Sequence, residues 1–329
     1  MTKTSANVKG VSFLVLAALI ISLQNIAVKW IGGDYSALEI VAFRSLIALP
    51  CTLLFYRYEG KRGLPRTQQP KLEYVRGVFL FLSYSTFMMG LAALPLADVE
   101  AIRFSGPLMI TLLSVLMLGE KVGPRRWLAV MIGFVGVLLI VRPGSTTFNL
   151  GSVFILVSVV FYALTVMVTR KLQTNDSSAT MAYYSSLVYL VAALVLAPLP
   201  IIVGEMPNAH PSIAFLIRGW SVPTLFDWVI MSGLGLVWAG WMYFMSRAYS
   251  VAQASVIAPF EYVSLPINIM WGFVFWQEIP TWMTLAGAFL TLFSGIYVLY
   301  REQREGPAVE QLEGEPADLK AVGDERYRG

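Results

Sequence analysis

A chain of 329 residues that is 57% hydrophobic and only 13% charged, with a mean hydropathy of +0.67, lies far outside the composition of soluble globular domains. It is read as a membrane protein, and its net charge of +4 reflects membrane topology, which excludes a nucleic-acid partner. Cys51 is the only cysteine, so disulfides and thiolate metal sites within one chain are excluded as well.

A bilayer core needs about 20 apolar residues per helix, and about ten such stretches follow one another. In chain order they are Gly10 to Trp30, Ala37 to Tyr56, Tyr74 to Leu94, Leu96 to Leu118, Pro124 to Val141, Leu150 to Val168, Met181 to Val203, Leu225 to Met245, Val251 to Trp276 and Trp282 to Tyr300. Lipid offers no partner to bare backbone groups, and these runs lack the alternation of barrel strands, so each is a helix. The fold class is therefore an all-α polytopic bundle. The first stretch is too long for the apolar part of a signal peptide and has no A-x-A cleavage signal, so it is read as a spanning helix.

Lysines and arginines set the orientation. With the N-terminus inside, one side receives Lys3, Lys9, the cluster Arg57, Lys61, Arg62, Arg66, Lys71 and Arg76, then Lys121, Arg125, Arg126, Arg170, Lys171 and Arg247. The other side receives Lys29, Arg142 and Arg218. The positive-inside rule then places both termini in the cytoplasm. Residues 301–329 are polar and acid-rich and are expected to form a disordered cytoplasmic tail.

The two halves echo each other. "GVSFLVLAALIISLQNIAVKW" from Gly10 matches "GSVFILVSVVFYALTVMVTRK" from Gly151 in its opening glycine, in Phe13 with Phe154, and in Lys29 with Arg170. "AALPLADVEAI" matches "AYSVAQASVI" in its A-x-x-x-A step, and Glu120 before the fifth segment answers Glu278 before the tenth. Two halves of about five helices, an odd number, enter the membrane with opposite polarity, which makes an inverted repeat. Residues 1–9 form the cytoplasmic N-terminus, 10–142 the first repeat and 150–300 the second.

On "FRSLIALP", on "LPLADVEAIRFSGPLMITLLSVLMLGEKVGPRRWLAVMIGFVGVLLIVRPG" and on its echo "AQASVIAPFEYVSLPINIMWGFVFWQE", the chain resembles the EamA type of the drug/metabolite transporter superfamily from Gly10 to Tyr300. The resemblance implies a ten-helix inverted-repeat fold with a central substrate cavity in a bacterial inner membrane. It does not name a substrate: relatives move amino acids, nucleotide-like compounds, flavins and drugs.

Charges inside the apolar segments are the candidate functional groups, since each costs roughly 2.5–3.5 kcal/mol at a bilayer centre. Glu100 and Arg103 share a face of the fourth segment, and Pro107, a turn later, removes an amide donor and kinks the helix. Pro259 and Pro266 bracket Glu261 in the ninth segment, and Arg44 in the second completes a balanced set of two acids and two bases. Interrupted helices at matching positions of two halves point to a transport site. The same charges could also serve as static pairs between helices. Glu261 lacks a basic neighbour in sequence and is read as a carboxyl that takes up and releases a proton, while Arg44 or Arg103 is read as a fork for a substrate carboxylate. Gln24, Asn25 and Asn268 avoid lipid, and Tyr84, Phe87, Phe104, Tyr162, Trp238, Trp241, Tyr262 and Trp271 are candidates to line the cavity. Gly133 with Gly136 and Gly233 with Gly235 are expected to be helix contacts.

Competing classes lack their parts. The only histidine, His210, falls in a loop expected to be a plain connector, and Asp34, Asp98, Asp176 and Asp227 fall at segment ends, so no intramembrane protease centre forms. No cofactor is expected. The sequence reads as a secondary transporter exporting amino acids or similar small amphipathic metabolites by alternating access, with proton coupling through Glu261 or Glu100 left open. An importer of a scavenged metabolite such as a flavin is the second reading. Its partners are a small-molecule substrate and the lipid bilayer, and a homodimer is allowed.

Overall fold

In the computed structural model of the chain, residues 3–118, 123–145, 148–172, 176–204, 206, 209–251 and 263–313 are described. They form α1 (Lys3–Ile31), α2 (Ala37–Tyr58), α3 (Pro70–Leu91), α4 (Leu96–Arg103), α5 (Gly106–Leu118), α6 (Pro124–Val141), α7 (Leu150–Leu172), α8 (Ser178–Leu196), α9 (Leu199–Val203), α10 (Pro211–Ile217), α11 (Leu225–Val251), α12 (Ser264–Trp276) and α13 (Trp282–Glu313), with no strand among the described residues. Six stretches are helical, long and apolar enough to cross a membrane: Val8–Ile31, Ala37–Tyr58, Pro70–Leu91, Leu96–Met117, Leu150–Thr169 and Ala179–Val203. Four shorter apolar helices, Trp127–Val141, Leu225–Trp241, Ser264–Trp276 and Trp282–Tyr297, complete the set. Leu116, Leu128, Val195, Ile201 and Leu225 stand exposed on their flanks. So much exposed apolar surface suits lipid and not water.

Several segments differ in detail from the expectation. The fourth breaks at Phe104 and Ser105, so Pro107 lies in the first turn of α5. The seventh, expected to run unbroken to Val203, stops at Leu196 and resumes as α9, because Pro198 and Pro200 donate no amide proton to continue the ladder. The connector at His210 is not plain: His210 caps α10, its Nδ1 accepting the Ser212 amide at 3.3 Å, and Phe215 buries itself in the core. The last helix continues past Tyr300 to Glu313.

Packing follows a rule of exchange. α3 lies along α7, α1 along α11, α2 on α8, α6 on α13 and α4 against α12. Exchanging the expected halves converts the α1 and α11 pair into the α7 and α3 pair and returns the other three to themselves. The caps agree: Ser36 accepts the Glu39 amide at the start of α2 at 3.1 Å, and Ser177 accepts the Thr180 amide at the start of α8 at 3.3 Å. Glycine permits a close crossing of α6 and α13. A Cβ on Gly136 of α6 would lie 2.7 Å from the Gly287 carbonyl of α13, and one on Gly287 would lie 2.5 Å from the Gly136 carbonyl. Gly133 and Gly235 are also contact positions, whereas a Cβ on Gly233 would meet nothing within 4 Å, so that glycine departs from the expected role.

Candidate functional site

Arg44 projects from α2 into the middle of the bundle and is 1% exposed. Three rings surround its guanidinium, Tyr84 of α3 at 3.9 Å, Trp238 of α11 at 5.0 Å and Tyr189 of α8 at 5.1 Å from their centroids. Its Nη1 donates to Gln24 Oε1 of α1 at 3.3 Å. No carboxylate pairs with it among the described residues, and Arg44 Nε, the Tyr84 hydroxyl and the Ser85 hydroxyl are buried without hydrogen-bond partners. Each ring contact contributes roughly 0.5–2 kcal/mol, so the cage offsets the cost of burying the charge while leaving Nε without an acceptor.

A second polar group joins it along α1. Asn25 Nδ2 donates to Glu100 Oε1 at 3.2 Å and to Asn268 Oδ1 of α12 at 3.1 Å. Arg103 Nη1 reaches the same Glu100 oxygen at 2.9 Å, and the Ser264 hydroxyl donates to Glu100 Oε2 at 3.3 Å. Glu100 is buried, while the Arg103 side chain is 42% exposed and lies over the Phe87 ring at 5.0 Å. Phe104, also buried, stands at the break after α4 and donates its amide to the Glu100 carbonyl at 3.1 Å. The helices that converge here are α1, α2, α3, α4, α8, α11 and α12.

Most expected residues therefore meet in one place. Gln24, Asn25, Arg44, Tyr84, Glu100, Arg103, Trp238 and Asn268 share the two connected groups, Trp241 stacks on Trp238 at 5.1 Å, and Trp271 Nε1 donates to the Ser22 hydroxyl of α1 at 3.0 Å. Tyr162 is not among them: it stands 46% exposed on α7 and takes no place in the cage. Pro266 is exposed in the first turn of α12. Glu261, Tyr262 and Pro259 lie outside the described residues. Sequence reading missed Tyr189, Ser264 and Ser85. The one available signal was Tyr189, a ring with a polar tip in the otherwise apolar run from Leu187 to Leu196.

Toward the end of the bundle that holds the α1–α2 turn, a cavity of about 310 Å³ is lined by Lys29, Gly33, Leu91, Phe215, Arg218 and Trp276 among others. Lys29 stands one turn from Asn25 on the same face of α1, so this cavity adjoins the polar cluster. Lys29 pairs with Glu278, donates to the Leu94 carbonyl at 3.0 Å and lies over the Trp276 ring at 5.0 Å, while Glu278 Oε2 accepts the Leu96 amide at 3.0 Å. Among the described residues no group of His, Cys, Asp and Glu is placed to hold a metal ion.

Comparison with known proteins agrees with this architecture. The profile of the EamA-like transporter family matches twice, over residues 8–142 and 149–301. The S-adenosylmethionine uptake transporter of Rickettsia prowazekii is 23% identical over 90% of this chain and 94% of its own length. The pseudopaline exporter CntI of Pseudomonas aeruginosa is 30% identical over 87% of this chain and 94% of its own, and the riboflavin transporter of Vibrio cholerae is 27% identical over 90% and 95%. A solved crystal structure that is 16% identical superposes with a TM-score of 0.58 over 91% of this chain and 96% of that one, and so shares the fold.

Proposed function

Because the chain belongs to the EamA-like transporter family, we propose that it exports amino acids or related small carboxylate-bearing metabolites by alternating access, with Arg44 as the group that holds the substrate carboxylate. One observation carries the reading: a guanidinium 1% exposed, caged by three rings, without a carboxylate partner among the described residues. A buried charge of that kind is complementary to an anionic group delivered from outside, and the guanidinium fork suits a carboxylate. Glu100, held by Asn25, Arg103 and Ser264, would then meet the ammonium group of an amino acid. We place the site between two inverted five-helix repeats, 10–142 and 150–300, in a bacterial inner membrane with both termini cytoplasmic. The exchange symmetry of the packing supports the repeats. Glu261 remains the proposed proton carrier.

A second reading, import of a flat-ringed metabolite such as a flavin, is favoured by the same three rings, which could sandwich a heterocycle. Thermal-shift titration of the purified chain separates the two. Amino acids, flavins and nucleosides are compared, each acid beside its amide. A ligand that binds the folded state raises the unfolding midpoint by mass action. Export of carboxylates requires a shift by an acid that its amide does not give and that Arg44→Lys weakens. A shift by riboflavin alone, untouched by Arg44→Lys, would replace the first reading with the second.

A further inference from the structure

At the end of the bundle that carries the α2–α3 loop lies another buried acid, separate from the Arg44 cage. Glu73 sits in the first turn of α3, is 0% exposed, and has both carboxyl oxygens buried without a hydrogen-bond donor. Its cationic neighbour is Arg76, whose Nη1 stands 3.8 Å from Oε2, beyond hydrogen-bond reach. Nε and Nη1 of Arg76 donate elsewhere. Nε donates to the Thr169 hydroxyl of α7 at 2.8 Å, and Nη1 to the Met181 carbonyl and the Ser185 hydroxyl of α8 at 2.9 and 2.7 Å. Arg76 thus ties α3 to α7 and α8 and gives Glu73 an ion-pair contact at 3.8 Å but no hydrogen bond.

The other ionisable groups around this pair do not help an anion. Asp176, just before α8, is buried with its Oδ2 accepting the Thr67 hydroxyl at 2.6 Å, and it adds a second negative charge near Glu73. Tyr184 of α8 lies within electrostatic range of Glu73, and Tyr189 of α8 and Tyr162 of α7 lie within electrostatic range of Arg76. A carboxylate taken from water needs donors to replace the ones it leaves, whereas the neutral acid loses far less on burial.

We propose that Glu73 is a proton-binding site whose occupancy stabilises the packing of α3 against α7 and α8. The carboxylate takes a proton from hydronium in the water at this end and becomes the acid, releasing a water molecule. When α3 parts from α7 and α8, water reaches the carboxyl and the proton returns to solution. Acid at this face therefore favours the closed arrangement, by a group outside the substrate site and independent of what the substrate is.

Infrared spectroscopy of the full chain in lipid nanodiscs tests this. At neutral pH the wild-type spectrum should contain a carboxylic-acid carbonyl band that Glu73→Gln lacks, and loss of carboxylate bands instead would overturn the proposal. Unfolding releases the bound proton, so the wild-type melting midpoint should fall relative to that of Glu73→Gln as pH rises above the ordinary carboxylate range. A gap that does not change with pH overturns it too. Should Glu73→Gln fail to fold, Glu73→Leu replaces it in the same two measurements. Failure of both variants to fold would show that Arg76 requires an ionised partner, which also overturns the proposal.

Discussion

At the scale of single residues, Arg44 presents a balance that mutation can read. Burying an arginine at a bilayer centre costs roughly 2.5–3.5 kcal/mol, and three ring contacts at roughly 0.5–2 kcal/mol each nearly offset it. Arg44→Met should therefore move the stability of the chain by under about 1 kcal/mol while abolishing ligand-induced thermal shifts. An arginine that served as half of a buried structural ion pair would behave in the opposite way, with a loss of about 3–5 kcal/mol on truncation. Glu100 is the contrasting case. It accepts from Asn25, Arg103 and Ser264 across three helices, so Glu100→Gln removes charge-assisted bonds worth about 1.5–3 kcal/mol and should lower the melting midpoint as well as binding. A midpoint unchanged in Glu100→Gln would mean that those bonds hold nothing together.

At the scale of elements, the α6–α13 crossing depends on backbones that touch. Gly136→Val would push its side chain against the Gly287 carbonyl, and overpacking of this kind costs about 1–3 kcal/mol. The same substitution at Gly233, where a Cβ meets nothing within 4 Å, should leave the melting midpoint near that of the wild-type chain. These elements also show what could be read from sequence. Hydropathy located the six long apolar stretches because a bilayer imposes a minimum length on a spanning helix, and the rarity of charge inside them singled out Arg44 and Glu100. Which face of a helix turns inward was not legible: Tyr162 looked like Tyr84, but only packing places one on the surface and the other over a guanidinium. Gly233 and Gly235 were indistinguishable for the same reason. Glu73 escaped notice because it stands at a helix start, where an acid is ordinary, and its isolation comes from the other helices.

At the scale of the whole molecule, the ends of the bundle are fastened by polar contacts between its halves. The Tyr35 hydroxyl after α1 donates to Asp227 Oδ2 of α11 at 2.7 Å and accepts the Thr224 amide at 3.2 Å. Thr67 before α3 donates to Asp176 Oδ2 before α8 at 2.6 Å. Alternating access requires such fasteners to release in turn. Tyr35→Phe, which loses about 1 kcal/mol of hydrogen bonding at one end, should increase labelling of a cysteine introduced in the cavity at Gly33, and unchanged labelling would show that this contact does not gate it. The central claim is that Arg44 receives the carboxylate of a transported solute. Its most direct test is counterflow of radiolabelled amino acids into proteoliposomes containing the wild-type chain or Arg44→Met at equal folded amounts. The account requires uptake of at least one amino acid by the wild-type chain, competition by the acid but not by its amide, and uptake at the level of empty liposomes for Arg44→Met. Undiminished uptake by Arg44→Met, or equal competition by acid and amide, would contradict it.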